Sequence, residues 1–407
     1  MPDVGIVGAG VAGLHLGLML RAHHIPVTLY TDREPKAAAS ARLPATVAHH
    51  APTLRREEGL GVQRWPADAH GYGSHHHYVG GPAPLRFRGD FTAPSRAVDH
   101  RLYLPALAED FQERGGQLRV AQLAPSELEL LSGRHDLLVV ASGRGPLSGL
   151  FPAVAGPATH RTPARLLCAG LYEGVTPSDP KGVTLSLAPG RGEVIEIPIL
   201  TAAGDVTALV FECVPDGGAD AVAGTDPRDD AGRFLRTVLG ELAVHHPTVH
   251  ERVDPAAFRL TGPLDVVQGA IVPTVRQDYV ALPGGRYALA VGDAHTVVDP
   301  IVGQGANIAS YSAQIVADAV VEDLAFDEMF CRRVARRRAD VVLGAARWSS
   351  LMLRPPPEHI RDLLGALSLH KSAADTFTDN FGYPDRQWRI VATPERTRAF
   401  VARHTAA

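Results

Sequence analysis

Cysteine, lysine and long apolar runs are all scarce in this 407-residue chain, and each scarcity closes a class of function. Cysteine occurs only as Cys168, Cys213 and Cys331, an odd number with no CxxC spacing. Neither a disulfide framework nor a cysteine-held zinc site is expected from that pattern. No apolar run approaches the ~18 residues of a membrane-spanning helix. The N-terminus shows neither a basic leader nor a signal-peptide cleavage site, so a cytoplasmic location is expected. Lysine is confined to Lys36, Lys181 and Lys371, and the formal net charge is −4. A nucleic-acid or membrane-surface partner would need a concentrated basic face, and neither is expected.

What is present is apolar in a patterned way. Val4–Val7 reads as a buried parallel strand, and Leu14–Leu20 as a helix apolar on nearly every side. Between them lies Gly8-Ala9-Gly10-Val11-Ala12-Gly13, and Val27–Tyr30 resumes a strand, completing a βαβ start. In such a turn the first glycine permits the tight bend, the second lets a pyrophosphate approach, and the third lets helix and strand close together. The helix N-terminus offers free N–H groups and partial positive charge to the anion. Gly8, Gly10, Val11, Ala12 and Gly13 are therefore the candidate pyrophosphate contacts. The acidic residue usual at the end of the second strand is displaced, leaving Thr31, Asp32 and Arg33 as candidates for the adenosine side. Asp32 as a simple turn cap is the alternative.

Further along, residues 99–113 read as a helix and Leu137–Ala141 as a buried strand ending at Ser142-Gly143. Gly182–Leu187, Glu193–Leu200 and Val206–Val214 read as strands separated by turn residues. The expected class is α/β. A discontinuous nucleotide-binding domain spans 1–160 and 276–325, with 45–95 contributing to the substrate pocket. An antiparallel β-sheet substrate domain is inserted over 161–275, and a helical region follows over 326–407, broken at Pro355-Pro356-Pro357.

A second motif narrows the dinucleotide. Gly292-Asp293-Ala294-His295 follows the strand Tyr287–Val291, and Asp299-Pro300-Ile301-Val302-Gly303-Gln304-Gly305-Ala306-Asn307 opens a helix. These segments resemble the flavin-binding motifs of aromatic hydroxylases with the p-hydroxybenzoate hydroxylase fold. The likeness implies FAD, with Asp293 on its ribityl chain. The N–H groups of Gly303, Gln304, Gly305, Ala306 and Asn307 then face the flavin edge that gains negative charge on reduction.

Closer still is the resemblance to the oxygenase component of two-component styrene and indole monooxygenases. It is carried by Gly5–Gly17 with Val27–Arg33, by Tyr78-Val79-Gly80-Gly81-Pro82, by Ala93–Asp99 and by Asp299–Asn307. The C-terminal Phe377-Thr378-Asp379-Asn380-Phe381 and Tyr383-Pro384 with Arg386-Gln387-Trp388 complete it. The resemblance implies FADH₂ delivered by a transient NADH-dependent flavin reductase, with O₂ as co-substrate. A C4a-hydroperoxyflavin would then epoxidise an apolar aromatic alkene, or the indole 2,3-bond, in a homodimer. A single glycine turn of this kind agrees with that division of labour, as does Ser142-Gly143 where single-component hydroxylases carry Asp-Gly.

The resemblance also distributes roles. Arg42, Arg96, Ser142 and Gly143 join the cofactor contacts. Val47, His49, Tyr72, His75 and Ser95 match the styrene-type pocket, while Ala45 stands where an asparagine is usual and Pro44 replaces a leucine. That departure predicts room for bulkier aryl alkenes. Val210, Pro300, Ile301 and Val302 are the expected apolar walls. No residue is expected to act as an acid or base, and His49 and His295 are taken as site-shaping. His75-His76-His77 is not expected to hold a metal, since only His75 and His77 share a strand face. A single-component NAD(P)H-dependent hydroxylase, a flavin halogenase and a non-catalytic FAD-fold escort protein are the rival readings.

Overall fold

The computed structural model describes residues 1–323 and 325–405; Leu324, Ala406 and Ala407, which fall inside the expected domain limits, lie outside the described residues. Val4–Val7 is buried at every position, as a strand flanked on both sides must be. It runs parallel to Val27–Thr31 on one side and to Leu137–Val140 on the other. Gln117–Val120, Arg286–Ala290 and the antiparallel edge Tyr279–Leu282 complete a six-stranded sheet. The strand order reverses at Val4–Val7, and there an α/β sheet opens a crevice at the carboxyl ends of its strands. The helix Val11–Ala22 leaves that crevice buried from Val11 to Leu20, because the helices His100–Glu113 and Gly305–Glu322 enclose it.

The second sheet has nine strands. Gly182–Ala188, Gly192–Thr201 and Gly204–Cys213 form an antiparallel meander, and Leu166–Glu173 adds to its far side. Strand alternation sorts their side chains between two cores. Val194, Leu209 and Phe211 lie against Phe234, Val238 and Leu242 of the helix Ala231–His245. Ile195, Ile197 and Val210 point the other way and join Tyr72 and Val183.

Two expectations need correction here. The sheet is not confined to 161–275, since Ala48–His49, Gly71–Val79 and Leu85–Ala97 belong to it. Nor is it wholly antiparallel, since Gly71–Val79 runs parallel to Gly182–Ala188. Two strands so far apart in the chain need no hairpin between them, and a long crossover permits parallel pairing.

From Glu328 onward the described chain is helical. The helix Lys371–Asp379 covers the part of the strand Leu85–Ala97 that Ala48–His49 leaves unpaired, with Asp375 Oδ1 accepting from the Asp90 N–H at 2.7 Å and Asp379 Oδ1 from the Thr92 N–H at 3.0 Å. Covering an edge in this way blocks its pairing with other chains. The approach requires Gly89, where a Cβ would lie 2.0 Å from Thr378 Oγ1. No helix among the described residues is long and apolar enough to cross a membrane.

Candidate active site

The crevice beside Val4–Val7 is built of backbone. Gly8 has φ +120°, and a Cβ there would meet Ala141 O at 2.2 Å; at Gly13 it would meet Gly8 O at 1.9 Å. Close approach of strand, turn and helix demands both glycines. Gly10 differs, because nothing lies within 4 Å of where its Cβ would be. It is also the N-cap of the helix Val11–Ala22, with no side-chain cap and no acidic residue in the first turn. The first N–H groups of that helix are thus left for an anion. Gly143, Gly303 and Gly305 are open in the same way. Ser142 Oγ is buried without a partner, and Asp293 stands at the rim 3.8 Å from Arg144. Open backbone, unspent donors and one orphan hydroxyl fit a dinucleotide.

Other expected cofactor contacts are engaged elsewhere. Arg96 is fully buried and spent on Glu57 Oε2 and Trp65 O, each at 2.5 Å, so a buried carboxylate, not a phosphate, holds its charge. Asp32 and Arg33 pair with each other on the surface at 2.9 Å, and Thr31 Oγ1 donates to Arg33 O. Arg42 donates to Val266 O at 2.7 Å. Gln304 donates to Val302 O and Phe381 O. The Asn307 side chain receives from His50 N–H and Thr53 Oγ1 and donates to Ala48 O and Gly303 O, tying the flavin-loop segment to the strand Ala48–His49. What Gln304 and Asn307 retain for a ligand is their backbone.

Next to Gly303 lies an apolar cavity of about 40 Å³. Of the expected walls, Tyr72, His75, Val210, Pro300, Ile301 and Val302 line it. Thr46, Ala48 and His50 line it as well, whereas Pro44, Ala45, Val47 and His49 do not. The expected residues were displaced by one position. Where the segment is extended, alternate side chains face opposite ways, so the cavity takes 46, 48 and 50 while Val47 and His49 turn toward the nucleotide-binding side; Pro44 lies before this alternation and is exposed. Val47 joins that domain's core, and His49 hydrogen-bonds Glu57. Ser95 sits one layer behind the wall, its Oγ 2.9 Å from His50 Nδ1. The extra volume expected from Ala45 has no counterpart in this cavity. Phe381, within the distinctive C-terminal segment, was not expected as a wall; its spacing from Phe377 was the signal at hand. Ile195, Ile197, Val183 and Leu185 complete the lining, and strand alternation would have found them.

The cavity is uncharged. Burial, then the neighbouring His49, lowers His50 to about 3, and burial holds His75 well below the usual histidine range. Burial also keeps the Tyr72 phenol protonated. His50 Nε2, His75 Nδ1 and Tyr72 OH are buried without partners. His75 is wedged edge-on between Phe91 and Phe381, at 4.7 and 4.5 Å between centroids. A neutral aromatic cage with three unspent polar atoms can orient an apolar ring and hydrogen-bond one oxygen or N–H group. It offers no nucleophile.

Behind it, Glu57 is the hub of a buried network. His49 Nδ1 lies 2.7 Å from Oε1, Tyr103 OH donates to the same oxygen at 2.8 Å, and Arg96 bonds Oε2. His15 Nε2 lies 2.7 Å from Tyr103 OH and its Nδ1 2.9 Å from Ser310 Oγ. Burial pushes the Glu57 carboxyl up, but the hydrogen bond from His49 and the charges of His49 and Arg96 outweigh it and hold it at about 2. His295 has a comparable structural post, 3.2 Å from Asp278, which also binds the buried Arg338.

Two styrene monooxygenases named StyA match almost the whole chain. The one from a Pseudomonas species is 45% identical over 398 residues, covering 97% of this chain and 96% of its own. That from Pseudomonas fluorescens is 44% identical with the same coverage. The chain belongs to the styrene monooxygenase family. It is accordingly an FAD-dependent monooxygenase. Within this family member, residues 143–252 match the family model described as "Styrene monooxygenase A putative substrate binding domain". That span holds the strands bearing Val183, Ile195, Ile197 and Val210. Among solved structures, the flavin-dependent brominase Bmp2 superposes with a TM-score of 0.68, covering 99% of both chains at 16% identity. The myxobacterial chondrochloren halogenase CndH, an FAD-dependent enzyme, gives 0.63 at 18% identity over 86% of this chain and 82% of its own. Likeness at that identity shows the fold alone.

Proposed function

We propose that this styrene monooxygenase relative is the oxygenase component of a two-component system. It receives FADH₂ from a separate NADH-dependent flavin reductase, uses O₂, and epoxidises a small apolar aryl alkene of the styrene type. The observation that carries the reading is the uncharged aromatic and aliphatic cavity lined by Gly303, itself one of the open glycines. Near-complete alignment with the two StyA enzymes supports it.

Reduced FAD, when bound, supplies the oxygen-activating chemistry, and the chain supplies position and dryness. Gly10, Val11, Ala12 and Gly13 would hold the pyrophosphate. Ser142, Gly143 and Asp293 would meet the sugar chain, and the Gly303–Asn307 backbone the ring. Val210, Ile301 and Val302 press the alkene toward that ring, while Tyr72 and His75 orient it. Ligand sites usually enclose ~300–1,000 Å³. A cavity of about 40 Å³ must therefore widen to admit substrate, and until then it has little room for the water that would divert activated oxygen to H₂O₂.

Indole is a second reading, favoured by the unpartnered His50 Nε2 and His75 Nδ1, either of which can accept an indole N–H. The test incubates the enzyme with O₂ and chemically reduced FAD, and separately with styrene or indole. Styrene oxide as the main product supports the proposal; faster indole oxidation transfers it to the indole reading. Turnover with NADH or NADPH alone, without a reductase, would refute the two-component assignment.

A further inference from the structure

Behind the cavity wall lies a group of carboxyls that the reaction as described does not use. Glu212 stands two residues after Val210 on the strand Gly204–Cys213, so its side chain shares the cavity face of the sheet. It is fully buried, as is Asp299, which begins the turn whose next three residues wall the cavity. Directly across the strands from Glu212 is Glu193. One guanidinium serves this group. Arg165 grips Glu193 through both carboxylate oxygens at 2.8 Å and spends Nη1 on Ala164 O and Leu353 O. No N–H or hydroxyl of the described residues reaches either Glu212 oxygen or Asp299 Oδ2. Of the side chains around Glu212, Asp299 acts on it most strongly, by charge and by a side-chain hydrogen bond. Two such groups whose one nearby cation is already paired with Glu193 cannot both ionise readily in a dry interior, and one proton between them satisfies both. Asp299 Oδ1 already accepts the Ile301 N–H at 3.2 Å, whereas neither Glu212 oxygen accepts an N–H or hydroxyl.

We propose that Glu212 is kept as a neutral carboxylic acid that donates its proton to Asp299 Oδ2, and that it is a positioning residue, pinning the Asp299–Val302 turn to the substrate sheet. The direction of its titration agrees: burial, then the charges of Asp299 and Glu193, push Glu212 well above the usual carboxyl range against the pull of Arg165. The groups facing the pair are Glu193, Arg165 and, from the Asp299 side, His160. Pinning the turn fixes Ile301 and Val302 over the site. That consequence rests on the cavity's being the substrate site; the shared proton does not.

The shared proton is tested on the flavin-free protein. Infrared difference spectra of wild type against Glu212→Gln at neutral pH should show a protonated-carboxyl carbonyl band that the variant lacks. Thermal melting gives a second readout. A folded Glu212 keeps its proton while an unfolded one releases it near the ordinary value, so its stabilising contribution is complete below that value and declines as pH rises toward the folded one. Between about pH 5 and pH 8 the wild-type Tm should therefore fall relative to Glu212→Gln by several degrees. A missing carbonyl band, or a Tm difference independent of pH, would overturn the proton assignment. For the positioning role, Glu212→Leu should lower epoxide formed per FADH₂ about tenfold and raise H₂O₂, with Glu212→Gln recovering most of the loss. Full coupling in Glu212→Leu would sink that role. Wild type giving no epoxide while retaining the carbonyl band would count against the function and leave the clamp standing.

Discussion

Glu57 shows how much one buried residue can carry. It bears the charge that neutralises Arg96 and accepts from Tyr103 at the centre of the network behind the cavity. Removing one partner of a buried ion pair strands the other, at a cost of ~3–5 kcal/mol. Glu57→Ala should lower stability by about that amount in a urea titration. Because its folded carboxyl is held at about 2, below its usual value, its contribution is present above that usual value and lost as pH falls through 2. Acid unfolding of wild type should show that loss, and the variant a shallower acid limb. His75 makes a different case. His75→Phe keeps the edge-on contacts with Phe91 and Phe381 but deletes the unpartnered Nδ1. Its Tm should stay within a few degrees of wild type, while steady-state epoxidation falls roughly tenfold, the worth of one hydrogen bond.

Among the elements, the strand–turn–helix at the N-terminus separates glycine as packing from glycine as binding surface. A methyl group at position 13 would stand 1.9 Å from Gly8 O, whereas at position 10 it would meet nothing within 4 Å. Gly13→Ala should therefore misfold or melt many degrees lower. Gly10→Ala should melt like wild type yet bind reduced FAD at least tenfold more weakly, because the methyl group occupies the approach of the pyrophosphate. Equal flavin affinity in Gly10→Ala, read by anaerobic titration, would remove this turn from the cofactor site.

At the scale of the molecule, the cavity belongs to no single stretch of chain. The segment around Thr46–His50, three sheet strands of the 143–252 span, the turn after Asp299 and Phe381 from the C-terminal helices all meet there. Phe381 also bears edge-on on Trp348 at 4.9 Å, which couples the cavity to the helical region. Phe381→Ala should cost ~3–5 kcal/mol as a large-to-small change. It should also shift the preference among aryl alkenes toward bulkier ones, as competition between styrene and a ring-substituted styrene would show. An unchanged preference would place the substrate elsewhere.

The sequence by itself determined the βαβ start, its glycine turn and the strand–loop–helix at Asp299, because these depend on local backbone needs that only certain residues meet. It also determined the family, since the motifs recur in order across the chain. Which side chains face the cavity was decided by tertiary structure. Between Pro44 and His50 one residue of register moves every side chain to the other face, and only the pairing of Ala48 with Ala97 and His49 with Arg96 selects it. Arg96, expected at the cofactor, was likewise claimed by a carboxylate 39 positions away in the chain. Its charge had to be paired where it was buried, and which partner lay within reach depended on how distant segments came together.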